Sequence, residues 1–173
     1  MPFLAIGAVI VIVIVIGSAN AKWTAVGEGE ATQVERWIYF TPDELIRTAT
    51  GLENEPTAEA WEHLDVLVRT VLDPIREAIG LPVVITSGYR SEAVNRAVDG
   101  HSGSHHKSGY AADIAVAGVD PLALLNQIKA LNLPVNEVIA YAESGHVHVS
   151  AKPTLNAPEY FLDRQDGSKL DRA

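Results

Sequence analysis

Three histidines and one aspartate in the second half of the chain have the residue types and spacing of a metal site. His106 and Asp113 flank Gly109, where the chain can turn sharply and bring an imidazole towards a carboxylate. His146 and His148 alternate in a predicted strand, so their side chains point to the same face. Two imidazoles and one carboxylate leave a tetrahedral zinc ion one position for water, as in catalytic sites. The spacing alone leaves solvated or capping histidines as an equal alternative.

The composition limits what kind of protein this is. A chain of 173 residues with 47% hydrophobic residues is long and apolar enough for one domain with a sizeable core. The net charge of -9 argues against nucleic acid as a partner, because nucleic acid binding depends on clustered Lys and Arg. The chain has no cysteine, which excludes disulfides and cysteine-ligated zinc. Any zinc must therefore be bound by histidine and carboxylate.

The first 21 residues differ from the remainder. No charged side chain occurs between Pro2 and Ala21, and valine alternates with isoleucine in the middle of this segment. As a helix it would span roughly 30 Å, close to the thickness of the bilayer core. Residues 1–21 are therefore predicted to be a signal peptide, cleaved after residues 19–21 (ANA), or an uncleaved membrane anchor formed by an apolar helix. A buried strand is the alternative, because valine and isoleucine favour strands.

The elements that must position the candidate ligands follow from periodicity and capping signals. Thr41, Pro42 and Glu44 form a helix start with a capping box, and Pro74 is predicted to kink or restart a long amphipathic helix. The predicted helices cover residues 42–49, 57–79, 91–98 and 120–131, and the predicted strands cover residues 37–40, 82–86, 111–116, 137–141 and 146–150. This mixture predicts an α+β fold with a small, mostly antiparallel sheet flanked by helices.

Three blocks of the chain carry a family resemblance. Residues 104–113 (SHHKSGYAAD) resemble the S-x-H-x-x-G-x-A-x-D signature of the M15 zinc peptidases, the group of D-alanyl-D-alanine carboxypeptidases and endolysins. Residues 85–91 (ITSGYRS) are similar to that family's S-G-Y-R-S block, and residues 145–150 (GHVHVS) to its terminal ligand block. The similarity covers about residues 38–150. Together with the aperiodic, polar segments on either side, it predicts a linker over 22–37, a zinc peptidase domain over 38–152 and a C-terminal tail over 153–173.

The resemblance implies a ligand set and a fold. The zinc ligands would be His106, Asp113 and His148, in a domain of the Hedgehog and D-Ala-D-Ala peptidase type. His105 would then point away from the metal. Arg90 would bind a substrate carboxylate or the developing oxyanion, since a guanidinium fork suits both tasks.

The general base is where the sequence departs from the family pattern. Many members carry an acidic residue three positions before the last histidine ligand, and Gly145 occupies that position. Glu143 is the nearest carboxylate, in the predicted turn between two strands, and His146, on the same strand face as His148, is the other candidate for the base. We therefore expect Glu143 to be the base and His146 to stabilise the tetrahedral intermediate, with a solvated turn residue as the alternative for Glu143.

By resemblance, the substrate would be a peptide bond in peptidoglycan stem peptides or cross-links, cleaved during cell-wall remodelling or phage lysis. The protein would then be exported, periplasmic or membrane-anchored facing the wall, or associated with a virion. The competing function is a non-catalytic zinc-containing module that binds the cell wall or forms part of a virion. The Gly145 departure favours this alternative, because such a module needs no base.

Overall fold

The computed structural model describes residues 37–153, 157–163 and the backbone of residues 171–172. These residues form an α+β fold, as the sequence predicts. The helices are α1 (Pro42–Ile46), α2 (Ala58–Leu67), α3 (Asp73–Ile79), α4 (Glu92–Ala97) and α5 (Pro121–Ala130). The strands are β1 (Val83–Ser87), β2 (Ala111–Val116), β3 (Glu137–Tyr141), β4 (His146–Ser150), β5 (Glu159–Asp163) and β6 (Asp171–Arg172).

The strands form one sheet in the order β1-β2-β4-β3-β5-β6. All neighbours are antiparallel except β3 and β5, which run parallel. The prediction of a mostly antiparallel sheet is thus corrected to a mixed sheet. The parallel strand lies in residues 159–163 (EYFLD), within the predicted tail, where three apolar residues between two charged ones show no alternation.

The sheet has one apolar face and one polar face, because alternate side chains of a strand point to opposite sides. The apolar face belongs to a single core shared with the helices. Its members from the three central strands are Ala112, Ile114, Val116, Val138, Ala140, Val147 and Val149. Asp113 and His148 occupy the intervening positions and therefore lie on the polar face. The alternation that builds the core also sets the candidate ligands on one surface.

The predicted long helix is continuous through Pro74 but changes its winding just before it. A π-helical turn (Val68–Leu72) joins α2 to α3, and Pro74 lies in the first turn of α3. Proline has no N–H and clashes with the carbonyl four residues earlier in a regular α-helix. The wider turn accommodates the proline, so a change in winding takes the place of the predicted kink or restart. Gly80 ends α3 at φ 68°, the left-handed conformation that glycine commonly adopts at the end of a helix.

The predicted strand over residues 37–40 is wrong. The N–H groups of Ile38 and Tyr39 donate to the buried carboxylate of Asp73, at 2.8 and 3.1 Å, instead of pairing with a strand. Trp37 donates from Nε1 to Asp65 at 2.9 Å and packs against the core. The carboxylate of Asp73, in α3, therefore accepts hydrogen bonds from backbone N–H groups that a neighbouring strand would otherwise bind.

The N-terminal apolar helix predicted for residues 1–21 lies outside the described residues, as does most of the predicted linker over 22–37. Within the described part of the chain, no helix combines the length and the apolar character that crossing a bilayer requires.

Candidate metal centre

His106, Asp113 and His148 converge on one point of the polar sheet face. Asp113 in β2 and His148 in β4 are direct cross-strand partners in the antiparallel register. His106 approaches from a 3₁₀ turn (His105–Ser108) that precedes β2. All three side chains are buried, and their ligand atoms lie within 4.8 Å of one another. The structure thus brings together the three residues predicted as metal ligands.

The distances among the three ligand atoms fit a single small cation. Asp113 Oδ1 lies 2.8 Å from His148 Nδ1 and 3.2 Å from His106 Nε2, and the two imidazole nitrogens are 3.2 Å apart. Donors bound to tetrahedral zinc at about 2.0–2.1 Å would be separated by roughly 3.3 Å. The donor set of two nitrogens and one oxygen is also one that zinc accepts in catalytic sites. The residues therefore fit the metal that the sequence predicts.

A hydrogen bond fixes which nitrogen of His106 is available to a metal. Nδ1 lies 2.7 Å from the carbonyl oxygen of Gly88, which can only accept, so Nδ1 carries the proton. Nε2 is then left with its lone pair facing Asp113 and His148. The backbone N–H of Arg90 donates to the backbone carbonyl of His106 at 3.2 Å. The loop over residues 87–90 and the His106 turn are thereby locked together, as outer partners commonly orient a ligating imidazole.

The same loop is pressed against α1. A Cβ at residue 88 would lie 2.1 Å from the Leu45 carbonyl oxygen, so only glycine fits at this position. The Tyr89 N–H donates to the same carbonyl at 2.7 Å. Buried Asn54 holds the other side of the loop, because its amide donates to the Tyr89 carbonyl and its Oδ1 accepts from Ser91 N–H. The S-G-Y-R-S block is thus a scaffold for the ligands.

The His106 turn is also held by α2. His63 donates from Nδ1 to the Ser108 carbonyl at 2.7 Å and accepts at Nε2 from the Tyr110 hydroxyl at 2.7 Å. The His63 and Tyr110 rings stack with centroids 3.8 Å apart. Gly109 has φ +76°, and a Cβ there would lie 2.4 Å from the Ala60 carbonyl oxygen. The sequence gives His63 no obvious partner, because its partners are 45 and 47 positions away.

Arg90 lies beside the ligand Asp113. Its Nη2 donates to Asp113 Oδ2 at 2.6 Å, and its Nε donates to Ser87 Oγ at 2.8 Å. Asp113 Oδ1 faces the two imidazoles, so the guanidinium orients the carboxylate while leaving that oxygen for a metal. Arg90 therefore has a positioning contact that the sequence did not predict, and its substrate or oxyanion role stays a prediction.

The electrostatics favour the protonation states that metal binding requires. Burial lowers the pKa of His106, and the nearby Asp113 carboxylate offsets this only in part, so the imidazole is neutral at pH 7. Burial by itself would raise the pKa of Asp113. Close contacts with the imidazoles of His106 and His148 outweigh that effect and hold the pKa of Asp113 well below its usual range. A neutral imidazole and an ionised carboxylate are ready to bind a cation.

The three ligands lie in a cavity of about 530 Å³. Its wall also includes Arg90, His105, Glu137, Tyr141 and His146. The hairpin brings the last three residues together with the ligands, because Ile139 pairs with His148 and Tyr141 pairs with His146. The rings of Tyr141 and His146 stack with centroids 4.7 Å apart. The predicted catalytic His146 therefore faces the same space as the ligands.

The two glutamates near the cavity differ in position. Glu143 is exposed in the turn between β3 and β4 and is not among the described residues that line the cavity. Glu137, which the sequence did not single out, lines the cavity with Oε1 3.6 Å from His148 Nε2. The predicted hairpin contained the signal, because its register places Glu137 and Ile139 beside Ser150 and His148. The role of Glu143 as base stays a prediction.

His105 lies in the cavity wall, whereas the sequence predicts that it points away from the metal. Ser150 donates to Asn136 Oδ1 at 2.7 Å, so its oxygen accepts from His105 Nδ1, also at 2.7 Å. Burial lowers the pKa of His105, although the Glu137 carboxylate opposes this shift. His105 is not one of the three clustered ligands. It is a neutral polar side chain of the wall.

Comparison with known proteins agrees with this geometry. The family model described as Peptidase M15 matches residues 38–150, and the chain therefore belongs to the peptidase M15 family. No curated protein matches the chain. The match begins one residue after Trp37 and ends with Ser150, at the end of β4. The fold and the His106, Asp113 and His148 cluster thus define a metallopeptidase domain.

Proposed function

We propose that the protein is a zinc-dependent peptidase that hydrolyses peptide bonds in peptidoglycan stem peptides or cross-links. The observation that carries the proposal is the convergence of His106 Nε2, Asp113 Oδ1 and His148 Nδ1 within an open cavity. Membership of the M15 family, whose peptidases depend on zinc, supports the metal. The peptidoglycan substrate rests on the sequence resemblance to carboxypeptidases and endolysins.

The proposed mechanism divides the work among the residues of the cavity. Bound zinc would polarise the scissile carbonyl and lower the pKa of a water molecule. His106, Asp113 and His148 would hold the ion, and Glu143 would take the proton of the attacking water and then pass it to the leaving amine. His146 and Arg90 stabilise the negative charge that develops on the carbonyl oxygen. Glu143 must approach from the exposed turn to do this.

The proposal also places the peptidase domain outside the cytoplasmic membrane, where peptidoglycan lies. The apolar segment over residues 1–21 would deliver it there as a signal peptide or hold it there as a membrane anchor. Periplasmic, wall-facing and virion-associated locations all meet this requirement.

The direct test is incubation of the purified protein with isolated peptidoglycan. We expect new free amino groups and shortened peptides by mass spectrometry, lost with a chelator and restored by zinc. Asp113→Asn serves as the matched control, because it keeps the size of the side chain but removes the charge on a ligand. Absence of cleavage by the zinc-loaded wild type would contradict the proposal.

A second function is favoured by the exposed position of Glu143 and by Gly145 at the usual acidic position. In this alternative, the domain keeps the zinc and binds the cell wall, or forms part of a virion, without cleaving peptides. The same incubation distinguishes the two functions. Zinc-dependent sedimentation with peptidoglycan and no new amino groups would support the non-catalytic module.

A further inference from the structure

A second cavity of about 560 Å³ shares one lining residue, Arg90, with the metal cavity. Its wall is formed by the segment after α1, by the end of β1 and by α4. Cavities of this size accommodate small organic ligands or a few residues of a peptide. Because Arg90 borders both cavities, we infer that a peptide bound at the metal extends past Arg90 into the second one.

The charge of the second cavity differs from that of the chain. The protein has a net charge of -9, yet the described residues that line the cavity include two arginines and no aspartate or glutamate. The charge of Arg90 is matched by its ion pair with Asp113 at 2.6 Å. The other arginine, Arg47, is exposed and makes no ion pair or side-chain hydrogen bond with any described residue. Arg47 is therefore the arginine of this cavity whose charge no carboxylate of the described residues neutralises.

The remaining wall suits a peptide rather than an inorganic anion. Val94 and Val98 give it an apolar side, and Val98 is 46% exposed although its side chain is hydrophobic. Thr48 and Thr50, which follow Arg47 closely in the sequence, line the same cavity, and their hydroxyl oxygens lie 3.1 Å apart. A guanidinium beside hydroxyls and an apolar wall matches an aliphatic residue that bears a carboxylate.

We propose that this cavity, lined by Arg47, Thr48, Thr50, Arg90, Val94 and Val98, is a peptide subsite and that Arg47 binds a carboxylate of the substrate there. The inference rests on the proposed peptidase function and adds a preference for an anionic peptide. Arg47 supplies the charged hydrogen bonds, while the valines bury the carbon atoms next to the carboxylate.

The test measures cleavage of three peptides by the zinc-loaded protein. They are L-Ala-γ-D-Glu-L-Lys-D-Ala-D-Ala, its glutamate α-amide and its C-terminal amide. For the first peptide we expect Arg47→Ala to raise KM about tenfold with little change in kcat, and Arg47→Lys to recover part of the loss. With the amide that lacks the carboxylate bound by Arg47, Arg47→Ala should no longer change KM. With the other amide, the change in KM should remain.

Arg96→Ala is the matched control. Arg96 is an exposed arginine of α4 that pairs with Glu92 at 3.3 Å and does not line the cavity, so its loss should change KM less than twofold for every peptide. If Arg47→Ala leaves KM unchanged, or if its effect persists with both amides, the subsite is wrong.

Failure of the proposed function can be told from failure of the subsite. If the wild type cleaves none of the peptides, calorimetry measures their binding to the wild type and to Arg47→Ala. The subsite would be supported without peptidase activity if the first peptide binds about tenfold more tightly than one of its amides, and only when Arg47 is present. Equal binding of all three peptides by both proteins would overturn the subsite.

Discussion

The two sides of the metal cavity differ in how firmly their polar side chains are held. On the ligand side, the Gly88 carbonyl orients His106 and the Arg90 guanidinium orients Asp113. On the hairpin side, His146 stacks on Tyr141, and Glu143 makes no side-chain hydrogen bond or ion pair with any described residue. Such outer contacts raise metal affinity by fixing the ligands before the ion arrives. The fold therefore prepares metal binding more fully than proton transfer.

Removing a ligand should have the largest effect. We expect His148→Ala to abolish stoichiometric zinc binding and to lower kcat/KM by roughly three orders of magnitude, because several kcal/mol of charge stabilisation depend on the ion. Metal analysis and initial rates of amino-group release measure both effects. Asp120→Ala, which removes the cap of α5 and no ligand, should retain zinc and activity. Full activity of His148→Ala would show that the ligand side is not the reaction centre.

The two glutamates test the hairpin side. If Glu143 is the base, Glu143→Gln lowers kcat by about 10²–10⁴-fold and leaves zinc affinity unchanged. Glu137 lies 3.6 Å from His148 Nε2, so Glu137→Gln should instead weaken zinc binding by about 10–100-fold. Rates at saturating zinc, together with competition against a zinc chelator, separate the two effects. A Glu143→Gln variant as active as the wild type would assign the base elsewhere.

Arg90 tests whether the outer contacts on the ligand side matter. Lysine cannot reproduce the two donors that reach Asp113 and Ser87, so Arg90→Lys should weaken zinc binding by about 10–100-fold. A role limited to substrate binding predicts a different result, namely a raised KM with unchanged zinc affinity. Chelator competition and steady-state kinetics on the same preparation distinguish these outcomes.

The tight packing behind the ligand side should appear as a smaller effect on stability. Gly88→Ala places a Cβ 2.1 Å from the Leu45 carbonyl, and we expect a loss of about 1–3 kcal/mol in the free energy of unfolding. Gly51→Ala is the control, because a Cβ there meets nothing within 4 Å and the strain comes from φ +71° alone. Urea titration should show the larger loss for Gly88→Ala. Equal losses would mean that the close approach to α1 is easily relieved.

The sequence predicted the parts of this molecule that depend on local patterns. The period-two alternation of His146 and His148, the capping box of α1 and the three family blocks are all local, and the structure agrees with them. The parallel pairing of β5 with β3 was missed because it joins distant segments and leaves no periodic signal. The Asp73 contacts that replace the predicted strand over residues 37–40 are equally distant in sequence.

The candidate site shows the same division. Motif matching found His106, Asp113 and His148, but not the supports that orient them. Asn54 and His63 bind backbone groups 35 and 45 positions away, which spacing along the chain does not reveal. Glu137 could have been predicted from the sequence, because the register of the predicted hairpin places it on the same face of the sheet as His148. The supports that the sequence did not predict depend on packing and on hydrogen bonds between residues far apart in the chain.

X-ray absorption at the zinc edge, on protein reconstituted with one equivalent of zinc, tests the central claim most directly. The account predicts nitrogen and oxygen ligands at about 2.0–2.1 Å, with the scattering of two imidazole rings in the wild type and of one in His106→Ala. Retention of two rings in His106→Ala, or a wild-type spectrum with no imidazole contribution, would show that His106, Asp113 and His148 do not bind a common ion.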